Sequence, residues 1–293
     1  MTAAFLGPLR ATVHRFFWGD CEITAILDGA ISMGISPPFL LDEGNDEISA
    51  IAQRANLPAD RLENNFVPVL VNTGEKLVLV DTGCGHFRRE KGAGFLRARM
   101  AEAGYRPEDV DIVALTHVHP DHIGGLLEDG KPAFPNAQLM IGRTEFDAWI
   151  SGDGIPPQRA DNRKMFLDIV APLRAEFRFL EDGDVVTPGI TAEAAFGHSA
   201  GHMMFRVASA GKELLIWADV ANHYVFSVEH PDSKVGFDDD RDMAIATRTR
   251  VLADAADSGV LVLGHHMPFP AVGYVQRRDG RFRWVPAAYQ LTR

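Results

Sequence analysis

Short apolar runs separated by glycine-containing turns alternate along the chain with stretches of helical period. Residues Thr12–Gly29 alternate apolar and polar positions around a Gly19-Asp20 turn, which predicts a β-hairpin. The runs Phe66–Thr73 and Leu77–Val80 flank a turn at Gly74-Glu75-Lys76 and predict a second hairpin. The first third of the chain is therefore expected to be rich in antiparallel strands.

Helices and strands alternate through the rest of the chain. The helical period and its stop signals predict helices over Asn45–Ala55, Phe95–Ala103, Thr144–Ile150 (with Thr144 as N-cap), Asn162–Ala171 and Arg241–Ala256. Strands are predicted at Gln138–Ile141, Phe177–Leu180, Ile190–Phe196, Met203–Val207, Leu214–Ala218 and finally Val260–Leu263. No Pro-, Gly- or Ser-rich linker interrupts this order. The pattern indicates one α/β domain with mixed sheets over residues 1–293.

Charge, cysteine content and the length of apolar runs exclude several classes of protein. The 293 residues are 46% apolar and 24% charged, and the formal net charge is −11. Such a charge disfavours nucleic acid, anionic membranes and polyanionic substrates, unless a local basic site offsets it. The only cysteines, Cys21 and Cys84, fit free thiols in a reducing compartment. There is no signal-peptide pattern and no apolar run near the ~18 residues of a membrane span. We therefore expect a cytoplasmic protein.

One stretch concentrates metal-binding side chains. Leu115–Gly125 reads LTHVHPDHIGG and places His117, His119, Asp121 and His122 within six residues, directly after an apolar run. In an extended segment, His117 and His119 would point to the same side. Imidazole and carboxylate groups bind borderline-soft divalent metals, and two such groups side by side suggest two ions.

Three further segments accompany this motif. They are the LVDTG run that contains Asp81, the GHSAGH run over Gly197–His202, and the GHHMPFP run that begins at Gly264. Together with THVHPDH they resemble the signatures of the metallo-β-lactamase superfamily in its two-metal form. The resemblance implies a four-layered αββα sandwich, in which two mixed β-sheets are flanked by helices.

The resemblance also implies a set of metal ligands. His117, His119 and His202 would hold one ion, Asp121, His122 and His266 would hold the other, and Asp219 would be shared. His266 is preferred to His265 because it directly precedes the Met-Pro-Phe-Pro run, although either could serve. His198 is interpreted as a hydrogen-bonding residue of its turn, and Asp81 as the carboxylate that orients a ligand histidine. The two divalent ions would be zinc, with iron, manganese and cobalt as alternatives.

The chain resembles most the branch that contains N-acyl-homoserine lactonases and methyl parathion hydrolase. That similarity is most specific at Trp217–Val228 (WADVANHYVFSV) and Gly264–Tyr274 (GHHMPFPAVGY). That branch implies opening of a neutral lactone by a hydroxide shared between the metals, with Asp121 passing a proton to the departing oxygen. Asn222 stands where lactonases often have a tyrosine. Asn222 or His223 is therefore expected to assist the oxyanion, with two alternatives: the metal acts alone, or each residue only lines the pocket or packs. Phe66, Met267 and Phe269 could form an apolar acyl pocket or belong to the core. A homodimer is also implied.

Alternative functions stay open at this point. A phosphotriester of the methyl parathion type would suit the same metal apparatus. A glyoxalase-II-like thioesterase would share all seven ligands, although the basic residues that grip glutathione are not evident. A non-catalytic protein that binds metal and a small molecule belongs to a different class. It is disfavoured because no expected ligand is missing from the sequence.

Overall fold

The computed structural model describes residues 9–36 and 38–287, together with residues 5 and 7. The expected domain range, 1–293, includes residues 1–4, 6, 8, 37 and 288–293, which lie outside the described residues. The expectation about a signal peptide concerns the N-terminal segment, most of whose first eight residues also lie outside them. The strands are β1 (Val13–Trp18), β2 (Cys21–Ile26), β3 (Gly29–Gly34), β4 (Arg61–Phe66), β5 (Val69–Asn72), β6 (Leu77–Val80), β7 (Ile112–Ala114), β8 (Leu127–Glu128), β9 (Lys131–Pro132), β10 (Gln138–Gly142), β11 (Phe177–Leu180), β12 (Val185–Thr187), β13 (Ile190–Ala194), β14 (Met203–Ser209), β15 (Lys212–Ala218), β16 (Leu261–Gly264), β17 (Val272–Arg278) and β18 (Arg281–Pro286). The helices are α1 (Asn45–Arg54), α2 (Leu96–Glu102), α3 (Pro120–Ile123), α4 (Arg143–Ser151), α5 (Ala160–Ile169) and α6 (Arg241–Ser258). Short 3₁₀ segments cover Gly85–Lys91, Pro107–Asp109, Pro157–Arg159 and Ala171–Glu176.

Two seven-stranded mixed sheets form the centre of the described fold. The first has the order β1-β2-β5-β6-β7-β10-β11, and its strands β6, β7, β10 and β11 run parallel. The second has the order β12 to β18, with a parallel pair only at β15 and β16. Two short ladders, β3 with β4 and β8 with β9, lie outside these sheets. The architecture is the αββα sandwich expected from the sequence.

Alternating residues of the first sheet divide its apolar side chains between two layers. Val78 and Val80 of β6 pack with side chains of the second sheet, whereas Leu77 and Leu79 pack with helices α2, α4 and α5. Neighbouring strand residues point to opposite faces, so each strand of the first sheet serves both layers. Helix α6 packs beside β17 and covers the second sheet. The core therefore extends through all four layers.

Most predicted elements are confirmed. The first hairpin pairs Trp18 with Cys21 around the expected turn, and the second pairs β5 with β6. Two predictions are wrong. Helix α4 begins at Arg143 and has Gly142 as its N-cap, so Thr144 lies inside the first turn. Val260–Leu263 is not the last strand, because β17 and β18 follow it as an antiparallel pair.

Among the described residues, none of the helices has both the length and the apolar character that crossing a bilayer requires.

Candidate metal centre

The histidines and aspartates of the sequence motifs meet at one end of the sandwich. Strand β7 leads into His117 and His119, and the single-turn helix α3 then carries Asp121 and His122. Strand β15 ends directly before Asp219. Strand β16 ends directly before His265 and His266, and the connection between β13 and β14 contains His198. Because strand ends fix these loops, the polar side chains are placed by the core rather than by flexible backbone.

Three imidazole nitrogens converge on one point. Nε2 of His117 lies 3.0 Å from Nδ1 of His119, which lies 3.0 Å from Nε2 of His198. Oδ2 of Asp219 lies 3.2 Å from the same His198 nitrogen. Nine-tenths or more of each of these side chains is buried, so water does not compensate the crowded donors.

A second group shares Asp219 with the first. Nε2 of His266 lies 2.9 Å from Oδ2 of Asp219 and 3.5 Å from Oδ2 of Asp121. Nε2 of His122 lies 3.5 Å from Oδ1 of Asp219 and 3.8 Å from Oδ2 of Asp121. Two nitrogens and two carboxylates thus surround a second point beside the first.

These donors fit divalent cations. Tetrahedral zinc with bonds of 2.0–2.1 Å would separate its nitrogen and oxygen ligands by about 3.3 Å. The observed separations of 2.9–3.8 Å bracket that value. Within the described residues, Nε2 of His122 and Oδ1 of Asp219 are buried without a hydrogen-bond partner. Buried polar atoms without partners are costly, and a cation would satisfy both of them.

The structure brings both histidines of the GHSAGH loop to the metal-binding residues. The nitrogens of His198 lie with those of His117 and His119, and the ring centre of His202 lies 5.0 Å from that of His117. Nε2 of His202 faces the backbone N–H of Asp219 at 3.3 Å, and Nδ1 of His202 has no hydrogen-bond partner in the described part of the chain. Both side chains are buried, and His198 also makes a hydrogen bond through its Nδ1 to Asp238 at 3.0 Å.

Hydrogen bonds also indicate which of His265 and His266 would bind the second metal ion. Nδ1 of His266 lies 2.7 Å from the carbonyl oxygen of Asn65, so it donates there and leaves Nε2 unprotonated towards Asp121 and Asp219. His265 lies beside His122, and its Nε2 has no hydrogen-bond partner among the described atoms. Both side chains lie within reach of the second point. The oriented tautomer favours His266.

Several buried carboxylates hold the histidines in place. Oδ2 of Asp81 lies 2.8 Å from Nδ1 of His122, and Oδ1 of Asp81 accepts the backbone N–H of Thr116 at 2.9 Å. Asp238 lies 3.0 Å from Nδ1 of His198 and also pairs with the fully buried Arg248 at 3.0 Å. A hydrogen bond to one ring nitrogen fixes the tautomer and leaves the other nitrogen free for a metal.

The sequence reasoning missed Glu145, the buried carboxylate of α4. Its Oε1 accepts the Val118 backbone N–H at 3.0 Å and the Ser199 hydroxyl at 2.5 Å, and its Oε2 accepts the Gly201 N–H at 2.7 Å. At Gly201, a Cβ would lie 2.1 Å from the Glu145 backbone nitrogen, so this close approach requires glycine. Glu145 therefore joins the two loops that carry His119 and His198. A charged residue beside apolar Phe146 and Trp149 in a helix was the available signal.

Electrostatics divide the histidines into two kinds. Burial, with the positive charges of neighbouring groups, holds the pKa of His117 well below its usual range and lowers that of His119 to about 4. Burial opposes charge at His198 too, but Asp219 and Asp238 outweigh it and raise the pKa of His198 to about 9. Asp81, Asp219 and Asp121 likewise overcome burial and hold the pKa of His122 well above its usual range. The carboxylates thus favour positive charge, which divalent ions would supply in place of protons.

A cavity of about 310 Å³ opens onto this group. Its polar floor includes His119, Asp121, His198, Asp219 and His266. Apolar side chains from the β3–β4 ladder and from the segment before α6 form part of its wall; they are Ile31, Met33, Phe66 and Phe237. Its other lining residues are Asn64, Arg88, Lys91, Pro120, Arg159, Asn162 and Asn222.

The remaining candidate residues separate into those at the cavity and those away from it. Asn222 lines the cavity, and its Nδ2 donates to Oδ2 of Asp219 at 3.1 Å. His223 faces a different cavity, and its Nδ1 accepts the backbone N–H groups of Val225 and Phe226 at 3.1 and 3.2 Å. Burial lowers the pKa of His223 to about 3, so its imidazole is neutral. The structure therefore places Asn222 in direct contact with the metal-binding Asp219, whereas His223 lines a neighbouring cavity that it shares with His266.

The expected acyl pocket is only partly present. Phe66 lines the cavity. Met267 is fully buried in the core between the sheets, and Phe269 packs against that same core. Met267 and Phe269 therefore serve the packing of the second sheet, the other of the two roles expected for them.

Comparisons with known proteins agree with this architecture. The family profile "Metallo-beta-lactamase superfamily" matches residues 67–281. An N-acyl homoserine lactonase of Bacillus cereus is 24% identical over 214 residues, which are 67% of this chain and 79% of that protein. An N-acyl homoserine lactonase of Bacillus thuringiensis is 24% identical over 61% of this chain and 65% of its own length.

Solved structures resemble the whole described fold. AidC, a dizinc quorum-quenching lactonase in complex with a product, N-hexanoyl-L-homoserine, superposes with a TM-score of 0.90 at 27% identity, covering 95% of this chain and 98% of that one. AbOPH, a hydrolase in the β-lactamase superfamily, superposes with a TM-score of 0.87 at 25% identity, covering 97% and 100%. The buried His and Asp cluster and these relatives together support bound divalent metal ions. The chain belongs to the metallo-β-lactamase superfamily and is a metal-dependent hydrolase.

Proposed function

We propose that this protein is a binuclear hydrolase that opens the ester ring of lactones related to N-acyl-homoserine lactones. The observation that carries the proposal is the sharing of Asp219 between two groups of metal-binding side chains at the floor of one cavity. One ion would be held by His117, His119 and His198, the other by Asp121, His122 and His266, with Asp219 common to both. Zinc is proposed for both positions, because the relative with the most similar backbone described above is a dizinc enzyme.

The metals and the protein would divide the chemistry between them. When bound, the divalent ions supply a hydroxide nucleophile at neutral pH and Lewis-acid polarisation of a carbonyl. The chain supplies the placement of the substrate and the handling of protons. Opening the ring breaks the acyl carbon–oxygen bond, and the departing ring oxygen must gain a proton. Asp121 reaches the cavity and could carry that proton from the nucleophile to the ring oxygen.

Asn222 has a positioning role in this proposal. Its amide holds one oxygen of Asp219, which leaves the other carboxylate oxygen towards His122. Asn222 also lines the cavity, where its neutral amide can donate a hydrogen bond three positions after the shared Asp219. An acyl chain would lie along Phe66, Ile31 and Met33, which offer apolar surface on one side of the metal-binding floor.

The decisive experiment is a hydrolysis panel with metal-loaded protein. N-acyl-homoserine lactones, simple γ- and δ-lactones, an aryl phosphotriester and an S-acyl-glutathione thioester would be compared, with Asp219→Asn as the matched variant. Lactone turnover with kcat/KM of about 10⁴ M⁻¹s⁻¹ or more, lost in the variant, would support the proposal. Faster turnover of the triester or thioester than of every lactone would replace it. Parallel reconstitution with zinc, iron, manganese and cobalt would identify the most effective metal.

A further inference from the structure

Two basic side chains stand at the mouth of the metal-site cavity. Arg88 and Lys91 lie three residues apart on the 3₁₀ segment Gly85–Lys91, and both line the cavity that contains Asp121 and Asp219. Residues three apart fall on the same side of a 3₁₀ helix, so the two cations project together. They are unexpected in a chain with a formal net charge of −11.

Within the described chain, neither cation is neutralised by an ion pair. Arg89, between them, pairs with Glu128 at 2.8 Å, and Arg159, also lining the cavity, pairs with Asp239 at 2.6 Å. No carboxylate is paired with Arg88 or Lys91 in this described part of the molecule. Glu128 and Asp239 thus neutralise the neighbouring arginines Arg89 and Arg159, whereas Arg88 and Lys91 face the cavity without such a partner in the described chain.

Arg88 is held in position rather than extended into solvent. Its guanidinium lies over the ring of Phe66, 5.4 Å from the ring centre. A guanidinium stacked on an aromatic ring keeps its N–H edge available for a carboxylate.

The cavity therefore has an excess of positive charge. The carboxylates that line it, Asp121 and Asp219, belong to the metal-binding groups. Two divalent ions, when bound, would carry more positive charge than these carboxylates offset, and Arg88 and Lys91 would add to it. A neutral substrate would leave both side-chain cations uncompensated when it displaces water from the mouth of the cavity, which costs free energy. An anionic group on the substrate would remove that cost.

We infer that Arg88 and Lys91 bind a carboxylate carried by the substrate at a distance from its ester ring. This inference rests on the proposed lactonase function and specifies its substrate class: lactones with an apolar acyl segment that ends in an acidic group. The apolar segment lies along Phe66, and the acid reaches the basic pair. Arg88 offers two parallel N–H donors to the carboxylate, and Lys91 adds a point charge. The substrate would therefore carry one negative charge, in contrast to the neutral lactone expected from the sequence.

Binding of an unreactive analogue tests the inference without catalysis. Metal-loaded protein would be titrated calorimetrically with an acyl lactam that ends in a carboxylate and with its methyl ester. We expect the acid to bind about tenfold or more tightly than the ester, as charge-assisted hydrogen bonds allow. Arg88→Met and Lys91→Met should each reduce that preference. Arg97→Met removes the same charge from an exposed position of α2 that lines no part of this cavity. This variant should retain the preference for the acid over the ester.

Each outcome distinguishes the inference from the function it rests on. Equal binding of acid and ester would overturn it, as would a preference for the acid that survives in the Arg88→Met/Lys91→Met double variant, since the metals would then bind the carboxylate. Lys91→Met serves as the second variant because Lys91 is exposed and its loss should not disturb Asp121. Turnover of neutral and acidic lactones at the same kcat/KM would overturn the inference but keep the lactonase function. Tight, Arg88-dependent binding without hydrolysis of any lactone would keep the anion site and overturn the function.

Discussion

Nδ1 of His122 lies 2.8 Å from Oδ2 of Asp81, and the two side chains follow the carboxyl ends of the neighbouring parallel strands β6 and β7. The aspartate thus fixes which nitrogen of the imidazole points towards Asp121 and Asp219. This contact follows directly from the sheet order, because adjacent parallel strands end at the same edge. The DTG turn of the sequence and the histidine motif are consequently parts of one site.

Replacing this carboxylate should weaken metal binding without unfolding the protein. We expect Asp81→Asn to lower the metal affinity of the group formed by Asp121, His122, Asp219 and His266 about 10–100-fold. The reason is that the His122 ring loses its orienting acceptor. Competition with a chromogenic chelator would measure the change. Asp153→Asn, at an exposed turn, should leave the affinity unaltered. Identical affinities for the wild type and Asp81→Asn would show that the contact does not tune the site.

The two histidines of the GHSAGH loop should behave differently. His198→Ala should lose metal at the first position, because Nε2 of His198 lies among the donors of that position. His202→Ala should keep the metal and lose mainly packing, since Nε2 of His202 faces a backbone N–H. Elemental analysis after desalting would compare their metal-to-protein ratios. The reverse result would restore His202 to the ligand set.

Glu145 should make stability depend on pH. Burial raises the pKa of Glu145 to about 7, above the value of an unfolded glutamate, so the folded state retains a proton that the unfolded state has lost. Stability should therefore fall as pH rises from about 4.5 to 7, by roughly 2–4 kcal/mol from this group, and then level off. In Glu145→Gln this fall in stability between about pH 4.5 and 7 should be absent. Urea unfolding at several pH values, relative to wild type, would reveal it.

A matched variant supports that measurement. Glu176→Gln changes an exposed glutamate that has no ion pair in the described chain, and its stability should follow the wild type at every pH. If Glu145→Gln also ran parallel to the wild type between pH 5 and 7, the buried carboxylate would not carry the expected proton.

The adjacent residues Asn222 and His223 offer a direct comparison. Asn222→Ala should reduce kcat/KM about 10- to 100-fold, because the loss of a hydrogen bond to charged Asp219 costs about 1.5–3 kcal/mol. His223→Ala should leave kcat/KM of the folded enzyme nearly unchanged but lower the free energy of unfolding, since two backbone N–H groups lose their acceptor. Steady-state kinetics and urea unfolding would separate these effects. A loss of kcat/KM only in His223→Ala would return the catalytic role to that residue.

Local sequence patterns located most of the strands and the central motif because these depend on periodicity and on residues close in the chain. The hairpin of β17 and β18 was missed although Asp279-Gly280 separates two alternating runs, which is a recognised hairpin signal.

The choice between His198 and His202 could not be made from the residues alone. Both histidines lie in one glycine-containing loop, and the path of that loop is set by Glu145, which is more than fifty positions away in the chain. The hydrogen bond between Asp238 and His198 also joins residues forty positions apart, and Arg248 of α6 holds Asp238 in place for it. The role of Arg88 and Lys91 likewise depends on the tertiary fold, because only the fold places Arg88 over Phe66 and in the same cavity as Asp121.

The placement of Glu145 on α4 has a consequence for how the protein exchanges its ions. One carboxylate accepts N–H groups from a loop of the first sheet and from a loop of the second, so a local opening of α4 would release both loops together. Ions held by His119 and His198 would then escape through a sub-global unfolding event rather than through the intact site. The lifetime of the bound ions would be set by the kinetic stability of a helix that does not itself contact them.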